Sequence, residues 1–598
     1  MSRQRSASWL QGFARAMPED PRYWRRLDRE LRIISDKTLE GYFERVIEIL
    51  ALTEDIPHMA RGSAASSLLC YLIGVSNFDP IAEGIRVERF LHERRDDCPD
   101  VDLDFPWDRH REVHERVLMR WPGQAARVSN RVHFRIKGAR REALRQLGYK
   151  PADLGLMSAA QLNRVEEVAE ALLGEHSHFS KHVGGVVVLP EAIPQEAMLT
   201  PTQLRLDKDE VEARGWWKID LLSSRGLGQL MAIDGRALED YPERDEATAD
   251  LLCRGDVLGV TQAESPAFRK LVRAVQPRSR REVAMVLALL RPAAASRGRK
   301  ARFLKRWRAG REATTLVFED DATDLIASVL RCDHAEADVY RRAFSRGDTP
   351  LVADFARRIR GNPRLAEIMD DLSQMRSYSF CKAHALEMAH LVWALAWQKC
   401  HAPRRFWWAA LNHCASMYRG WVHIEEARRA GWRIVGELAP WRMDGDALVG
   451  SRCQLALFEP GAVEQYVRRG WWREGGFLPG FGLRADEAGI AFTGLVATGR
   501  PYRSEDGHAV TFVTVGVGGR YVDLAIEGRV SMRGVDAIEG RGQLRASYGS
   551  PFVQVEALRL LRLGAEGFEE IPFDHAEIGA ALERDREGKA RDLPDPVD

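Results

Sequence analysis

Residues 98–108 read CPDVDLDFPWD, and three carboxylates, Asp100, Asp102 and Asp104, fall at every second position around Val101 and Leu103. Alternation of this kind is the period of a β-strand, in which residues two apart share a face. A chain folded this way carries like charges along one side of a strand. It must therefore bring something positive to that side, and the rest of the sequence has to be read for what that could be.

A chain of 598 residues is too long for one core, and roughly three to five domains are expected. An apolar fraction of 45% is enough to fill them. Formal net charge is only +1, yet Arg269–Arg311 holds 15 Lys/Arg against the single acid Glu282, and Arg109–Arg145 holds 11 against three acids. From Glu566 onward the balance reverses, with 11 acids against four bases. Basic blocks in a near-neutral chain point to a polyanionic partner, although for either block alone a solvated helix face is the favoured reading. The eight cysteines make no CxxC pair and no Cys/His ligand spacing, which speaks for a reducing compartment without disulfides or a zinc module. No signal peptide and no run of about 18 apolar residues is present. A cytoplasmic chain with no membrane contact is the expectation.

Helical spacing runs from Tyr23 to about Leu52 through Leu27, Leu31, Ile34, Leu39, Phe43, Val46 and Ile49. A Gly/Ser-rich turn and an apolar helix follow in HMARGSAASSLLCYLIG. Arg109–Tyr149 reads as two or three basic helices. HVGGVVVLP (182–190) and WWKIDLL (216–222) read as strands, and 236–431 as mostly helical. A Pro/Gly-interrupted connector leads to short alternating runs such as FVTVGV, YVDLAI and FVQVEAL, about five strands suited to a small barrel.

Carboxylates clustered on one strand face form an oxygen cage for a hard divalent cation, and Mg²⁺ commonly keeps substrate phosphates among its ligands. A phosphate site should then lie nearby, and ARGSAASS fits: Arg61 is a guanidinium, Gly62 admits close backbone approach, Ser63 offers a hydroxyl, and the following helix is expected to point free N–H groups at an anion. WWKIDLL supplies a distant third carboxylate, Asp220, with Lys218 on the same strand face. The order Gly-Ser, Asp-x-Asp, lone Asp resembles the nucleotidyltransferase superfamily that includes polymerase β.

The resemblance narrows when whole segments are compared. ARGSAASSLLCYLIGVSNFDPIAEGIRVERFLHERRDDCPDVDLDF is similar to the palm of the C-family bacterial DNA polymerases, the DNA polymerase III α subunits, without a gap from the Gly-Ser turn to the acidic strand. KGARREALRQLG, HVGGVVVLP, WWKIDLL, GDVLGVTQAES, VLALLRP and YSFCKAHALEMAHLVWALAWQKCHAPRRFWWAALN resemble later segments of that family in order. The resemblance implies an α+β multidomain chain: a polymerase-β-like nucleotidyltransferase palm in 1–115 and 178–235, a thumb in 116–177 and fingers in 236–435, both mainly helical, a connector in 436–485, a C-terminal OB-fold β-barrel in 486–565 and an acidic tail in 566–598.

Carried over residue by residue, the metal-binding aspartates fall on Asp102, Asp104 and Asp220, and Asp100 is an acidic neighbour outside the catalytic three. Lys218 stands beside the third aspartate. Arg61, Gly62, Ser63 and Arg291 match nucleotide-binding positions, and Lys137, Arg141 and Arg145 match positions facing DNA. QLALF, with Gln454, Leu457 and Phe458, resembles the pentapeptide that binds the sliding clamp; an ordinary amphipathic strand is the alternative for five residues, but their place in a connector ahead of the barrel, where the family carries its clamp motif, favours clamp binding. The resemblance implies a DNA-directed DNA polymerase that uses two Mg²⁺ ions, dNTPs and primer–template DNA, with the clamp and further repair or replication subunits as partners. Against the family's pattern, an N-terminal PHP domain, the helix-hairpin-helix region and the clamp-loader-docking domain are expected to be absent, and the first glycine of the Gly-Ser turn and the RPGP turn are replaced. A reduced specialist in repair or translesion synthesis, without proofreading, is therefore expected. A non-catalytic DNA- and clamp-binding scaffold and a terminal transferase remain as alternatives. HSHFSKH (176–182) fits no zinc spacing, and RRFWWAAL (404–411) reads as helix packing rather than base stacking.

Overall fold

In the computed structural model, which describes residues 13–95, 99–290, 299–308, 316–373, 380–436, 438–451, 483–486, 489–503, 509–517, 520–547, 550–563 and 568–571, the periodic run that begins at Tyr23 folds as two helices. Asp20 caps the first, Pro21–Asp36, by accepting from Arg22 N–H at 2.8 Å, and Pro21 occupies its first turn. Thr38 then takes a left-handed φ of 54°, which breaks the ladder before the second helix, Glu40–Leu52, begins. Tyr23, Leu27, Ile33 and Ile34 of the first and Tyr42, Phe43, Val46 and Ile49 of the second are buried.

The described chain forms two compact units. One comprises the chain up to Ser76 with Asp96–Ser224; the other comprises Asn77–Arg95 and everything from Arg225 on. The first is built on a mixed seven-stranded sheet made of β1 (Met59–Arg61), β2 (Asp102–Pro106), β3 (Ala125–His133), β4 (His176–Val188), β5 (Met198–Thr200), β6 (Gln203–Leu204) and β7 (Lys218–Ser224). Its spatial order is β1-β2-β7-β4-β3-β6-β5. β2 and β7 run parallel in neighbouring positions, although far apart in sequence. The expected run of basic helices over Arg109–Tyr149 is corrected: helices His110–Arg120 and Ile136–Gln146 flank strand β3. That strand hides its period because one buried position is polar. Ser129 is fully buried, donates to Leu204 C=O at 2.6 Å and accepts from Gln203 at 2.8 Å. HSHFSKH is likewise part of β4, which starts at His176 rather than at His182.

The second unit is mostly helical. Its helix Lys382–His401 is buried on nearly every face, as a helix apolar all round must be. Strand β8 (Arg433–Val435), at the end of the segment expected as fingers, joins β9 (Leu438–Asp444) and β10 (Ala447–Ser451) of the expected connector in a three-stranded sheet of order β8-β10-β9. Seven more strands follow, β11 (Leu483–Asp486), β12 (Gly489–Arg503), β13 (Ala509–Val517), β14 (Arg520–Glu527), β15 (Ala537–Ser547), β16 (Ser550–Leu563) and β17 (Phe568–Ile571). Five of them close into a barrel in the order β12-β13-β14-β16-β15, because β12 also pairs with β15, and β14 and β16 are parallel. This is the arrangement of an OB-like domain. Val496, Val513, Val515, Ile526, Ile538 and Val555 fill it. Gly542 lets two strands close where they shift register, since a Cβ there would lie 2.0 Å from Gln554 C=O. The strands outrun the expected 486–565, and β17 takes in residues that were assigned to the acidic tail. Thr498 Oγ1 donates to Met417 C=O at 3.0 Å and Tyr521 Oη to Glu426 at 3.1 Å, so the barrel is bonded to the helical part of its own unit. Among the described residues no helix is long and apolar enough to cross a membrane.

Candidate active site

Four neighbouring strands put one residue each on a single rung of the first sheet. Arg61 on β1 is registered with Asp102 on β2, Asp102 with Asp220 on β7, and Asp220 with Gly185 on β4. Residues registered across a pleated sheet project from the same side, so the rung carries a guanidinium, two carboxylates and an open position. Gly185 is what keeps it open: a Cβ there would lie 2.9 Å from His182 Nδ1, 3.1 Å from Val128 Cβ and 3.3 Å from Asp220 Oδ1. Tyr42, fully buried in helix Glu40–Leu52, sets the start of both acidic strands. Its hydroxyl accepts from Val101 N–H at 2.9 Å and donates to Lys218 C=O at 3.4 Å.

Asp100, Asp102 and Asp220 each offer an oxygen, and those oxygens lie within 4.8 Å of one another. Asp102 Oδ1 and Asp220 Oδ1 are buried with no hydrogen-bond partner. Burial, then the carboxylates of Asp100 and Asp220, push Asp102 up to about 8 against the pull of Lys218 and Arg61. Lys218 Nζ lies 2.6 Å from Asp220 Oδ2 and 3.1 Å from Asp100 Oδ1. Burial works against its ammonium, but those two carboxylates outweigh it and raise its pKa. One lysine does not neutralise three carboxylates, and orphaned buried oxygens this close fit a hard divalent cation.

The third expected ligand, Asp104, is placed differently. Its side chain is 1% exposed and bonded to Arg61, whose Nη2 donates at 2.8 Å and Nε at 3.0 Å. Asp104 therefore serves as counterion to Arg61, and Asp100 stands with Asp102 and Asp220 instead. His182 lies on the same rim. Its Nδ1 accepts from Gly185 N–H at 2.7 Å, which leaves Nε2 to carry the ring proton, and it is 3.6 Å from Asp220 Oδ1. Burial lowers its pKa.

The turn after β1 has Gly62 at φ 73°, with its Cα open toward Asp102, a conformation that favours glycine. Ser63 opens a short 3₁₀ turn, Ala64–Ser66, and helix Leu68–Leu72 follows. The expectation that this helix points free N–H groups at a ligand is corrected. Leu68 and Leu69 donate their N–H groups to the Glu30 carboxylate at 3.0 Å each, and Cys70 N–H to Ser67 Oγ at 3.1 Å. Glu30 and Tyr42 escape a reading of the sequence because each looks like an ordinary position on an amphipathic helix.

Lys137, Arg141 and Arg145 lie four residues apart on the exposed face of helix Ile136–Gln146, opposite buried Ala139 and Ala143. Arg145 is paired with Glu142 at 2.5 Å. Arg291, Gln454, Leu457 and Phe458 lie outside the described residues. A second group, Glu264, Cys414 and His423, also brings its ligand atoms within 4.8 Å. It closes on itself: His423 Nε2 is 2.9 Å from Glu264, which also accepts from Gly259 N–H at 3.0 Å.

Fold and site together place a carboxylate cluster suited to a cation, with an arginine and a glycine–serine turn at its edge, on a mixed sheet, in a chain whose described residues also form an OB-like barrel. The family model described as bacterial DNA polymerase III alpha NTPase domain matches residues 4–159, and that of the bacterial DNA polymerase III alpha subunit finger domain matches residues 229–335. The error-prone DNA polymerase of Dechloromonas aromatica is 30% identical over 481 residues, covering 69% of this chain and 46% of the relative. That of Corynebacterium efficiens is 31% identical over 458 residues, covering 68% and 42%, and that of Burkholderia mallei 29% over 537 residues, covering 74% and 50%. The chain belongs with the C-family, DNA polymerase III α-like proteins. It spans about half the length of the curated relatives it matches.

Proposed function

We propose that the chain is a template-directed DNA polymerase, joining a primer 3′-oxygen to the α-phosphorus of a dNTP and releasing pyrophosphate. The observation that carries this reading is the register of Asp102 with Asp220, which brings two orphaned carboxylate oxygens together beside Lys218. The relatives' name, error-prone DNA polymerase, supports a specialist role in repair or translesion synthesis. In this reading the seven-stranded sheet is a polymerase-β-like palm. Helix Ile136–Gln146 belongs to a thumb, the helices after Arg225 form fingers, and the barrel is an OB fold.

When bound, magnesium would supply the charge that lowers the pKa of the attacking hydroxyl and steadies the departing pyrophosphate. Asp102 and Asp220 would hold it, joined by Asp104 as Arg61 exchanges that carboxylate for the triphosphate. Lys218 balances Asp220 and Asp100 until substrate arrives. Gly62 and Ser63 present backbone and hydroxyl to the phosphates, and Arg61 presents a forked donor. Such a reaction asks the protein mainly to position groups and neutralise charge, which these residues do. Lys137, Arg141 and Arg145 line one helix face for duplex backbone, with Arg291 as a further nucleotide contact and Gln454, Leu457 and Phe458 as the clamp contact.

Primer extension by the intact chain tests the reading, with Mg²⁺ and one dNTP at a time on templated and untemplated primers. Incorporation of the complementary dNTP on the templated primer alone is expected. DNA binding without incorporation, with or without sliding clamp, would contradict it, and equal untemplated addition would make the chain a terminal transferase. Loss of clamp pull-down on joint Gln454→Ala and Phe458→Ala substitution is expected; unchanged capture places the contact elsewhere.

A further inference from the structure

The Gly62–Ser63 turn is half-buried, and what holds its shape lies behind it. Ala64, Ala65, Ser66 and Ser67 are all fully buried, and two backbone bonds, Ser66 N–H to Ser63 C=O at 2.9 Å and Ser67 N–H to Ala64 C=O at 3.0 Å, wind them into one short turn. Upstream, the ladder of Arg61 with Asp102 fixes the turn to the acidic strand. Downstream, it is fixed by a carboxylate from a helix about forty residues earlier.

That carboxylate is Glu30, with no exposed surface. Its Oε2 accepts from Ser67 Oγ at 2.6 Å and Leu69 N–H at 3.0 Å; its Oε1 accepts from Leu68 N–H at 3.0 Å and Arg26 Nε at 2.6 Å. Arg26 Nη2 also donates to Ser66 C=O at 2.9 Å. The pair therefore grips the last carbonyl of the turn and the first donors of the helix behind it. A surface cap would need none of this. A buried carboxylate with both oxygens doubly occupied is a costly group to place, and it persists where the geometry it holds is needed. Because Glu30 fills the anion position of helix Leu68–Leu72, the part of this turn left to face phosphates is the Gly62–Ser63 segment with Arg61.

We infer that Glu30, oriented by Arg26, is the positioning residue of the triphosphate-reading turn; the inference rests on the polymerase reading above. It touches no substrate and acts by fixing the distance from the Gly62–Ser63 backbone to the Asp102–Asp220 rung.

Two measurements on the full chain test it, using Glu30→Gln, which keeps shape and burial, and Ser67→Ala, which removes one hydroxyl and serves if the first variant does not fold. Steady-state incorporation should show KM for dNTP raised about tenfold to a hundredfold with kcat nearly unchanged. Hydrogen exchange should show protection of residues 62–69 falling roughly tenfold while β2 and β7 stay protected. A merely structural role would lower melting temperature and active fraction but leave KM alone. A folded variant with wild-type KM, or with unchanged exchange at 62–69, overturns the inference. Wild-type protein that incorporates no dNTP sinks the polymerase reading instead, and exchange in Glu30→Gln then still decides whether Glu30 holds the turn.

Discussion

Asp102 and Asp104 sit two residues apart on one strand, and burial raises the pKa of both, but their charged neighbours differ. Asp104 has a guanidinium to itself, whereas Asp102 faces two other carboxylates and shares one lysine with them. The sign of a pH effect follows. Asp102 is raised to about 8 in the cation-free protein, so between the ordinary carboxylate range and about 8 the folded state binds more protons than the unfolded one. Stability in chelator therefore falls as pH rises through that window. Melting temperature should drop from about pH 6 to about pH 9, Asp102→Asn should flatten the drop, and added Mg²⁺ should reverse it by binding the folded state. A melting temperature that rises with pH in chelator would contradict the arrangement. Asp102, Asp220 and Lys218 were legible in the sequence because strand period and motif order are sequence properties. The Arg61–Asp104 pair was not, because both residues are good ligands for phosphate or metal and only side-chain direction decides between them.

At the scale of elements, β4 does as much for the site as β2 or β7. Its consecutive glycines accept what no side chain could: a Cβ on Gly184 would meet Leu222 Cδ2 at 2.6 Å, and one on Gly185 would meet His182 Nδ1 at 2.9 Å. Gly185→Ala should cost about 1–3 kcal/mol of stability through overpacking. Because Asp220 must move, it should also lower incorporation by about a hundredfold. Gly155→Ala, with open space around it, should change neither. Chemical denaturation and single-nucleotide incorporation on both variants check this, and wild-type incorporation by Gly185→Ala would contradict the rung. Strands β4 and β7 were legible from their β-branched and aromatic runs. Strand β3 was not: its buried Ser129 is satisfied by Leu204 and Gln203, partners that no local pattern shows. The two helices of Pro21–Leu52 were read as one for a similar reason, since periodicity continues across the break at Thr38.

For the whole molecule, the two-unit division places the carboxylate cluster in one unit and an OB-like domain in the other. The barrel was legible as a group of short alternating runs, while its closure through β12 and β15 depends on long-range pairing that no single run encodes. If the basic stretches grip phosphate backbone, affinity for primer–template should fall at least about tenfold between roughly 50 and roughly 200 mM salt, linearly on logarithmic axes and with little sequence preference. A salt-independent affinity would leave those stretches as solvated helix faces. The central claim, that the Asp102–Asp220 rung performs nucleotidyl transfer, is tested most directly by single-turnover incorporation of the correct dNTP with Mg²⁺ by wild type, Asp102→Asn and Asp220→Asn, all shown to bind primer–template. Wild type should incorporate and each variant should be slower by about a thousandfold or more; variants that incorporate at the wild-type rate would place the chemistry elsewhere.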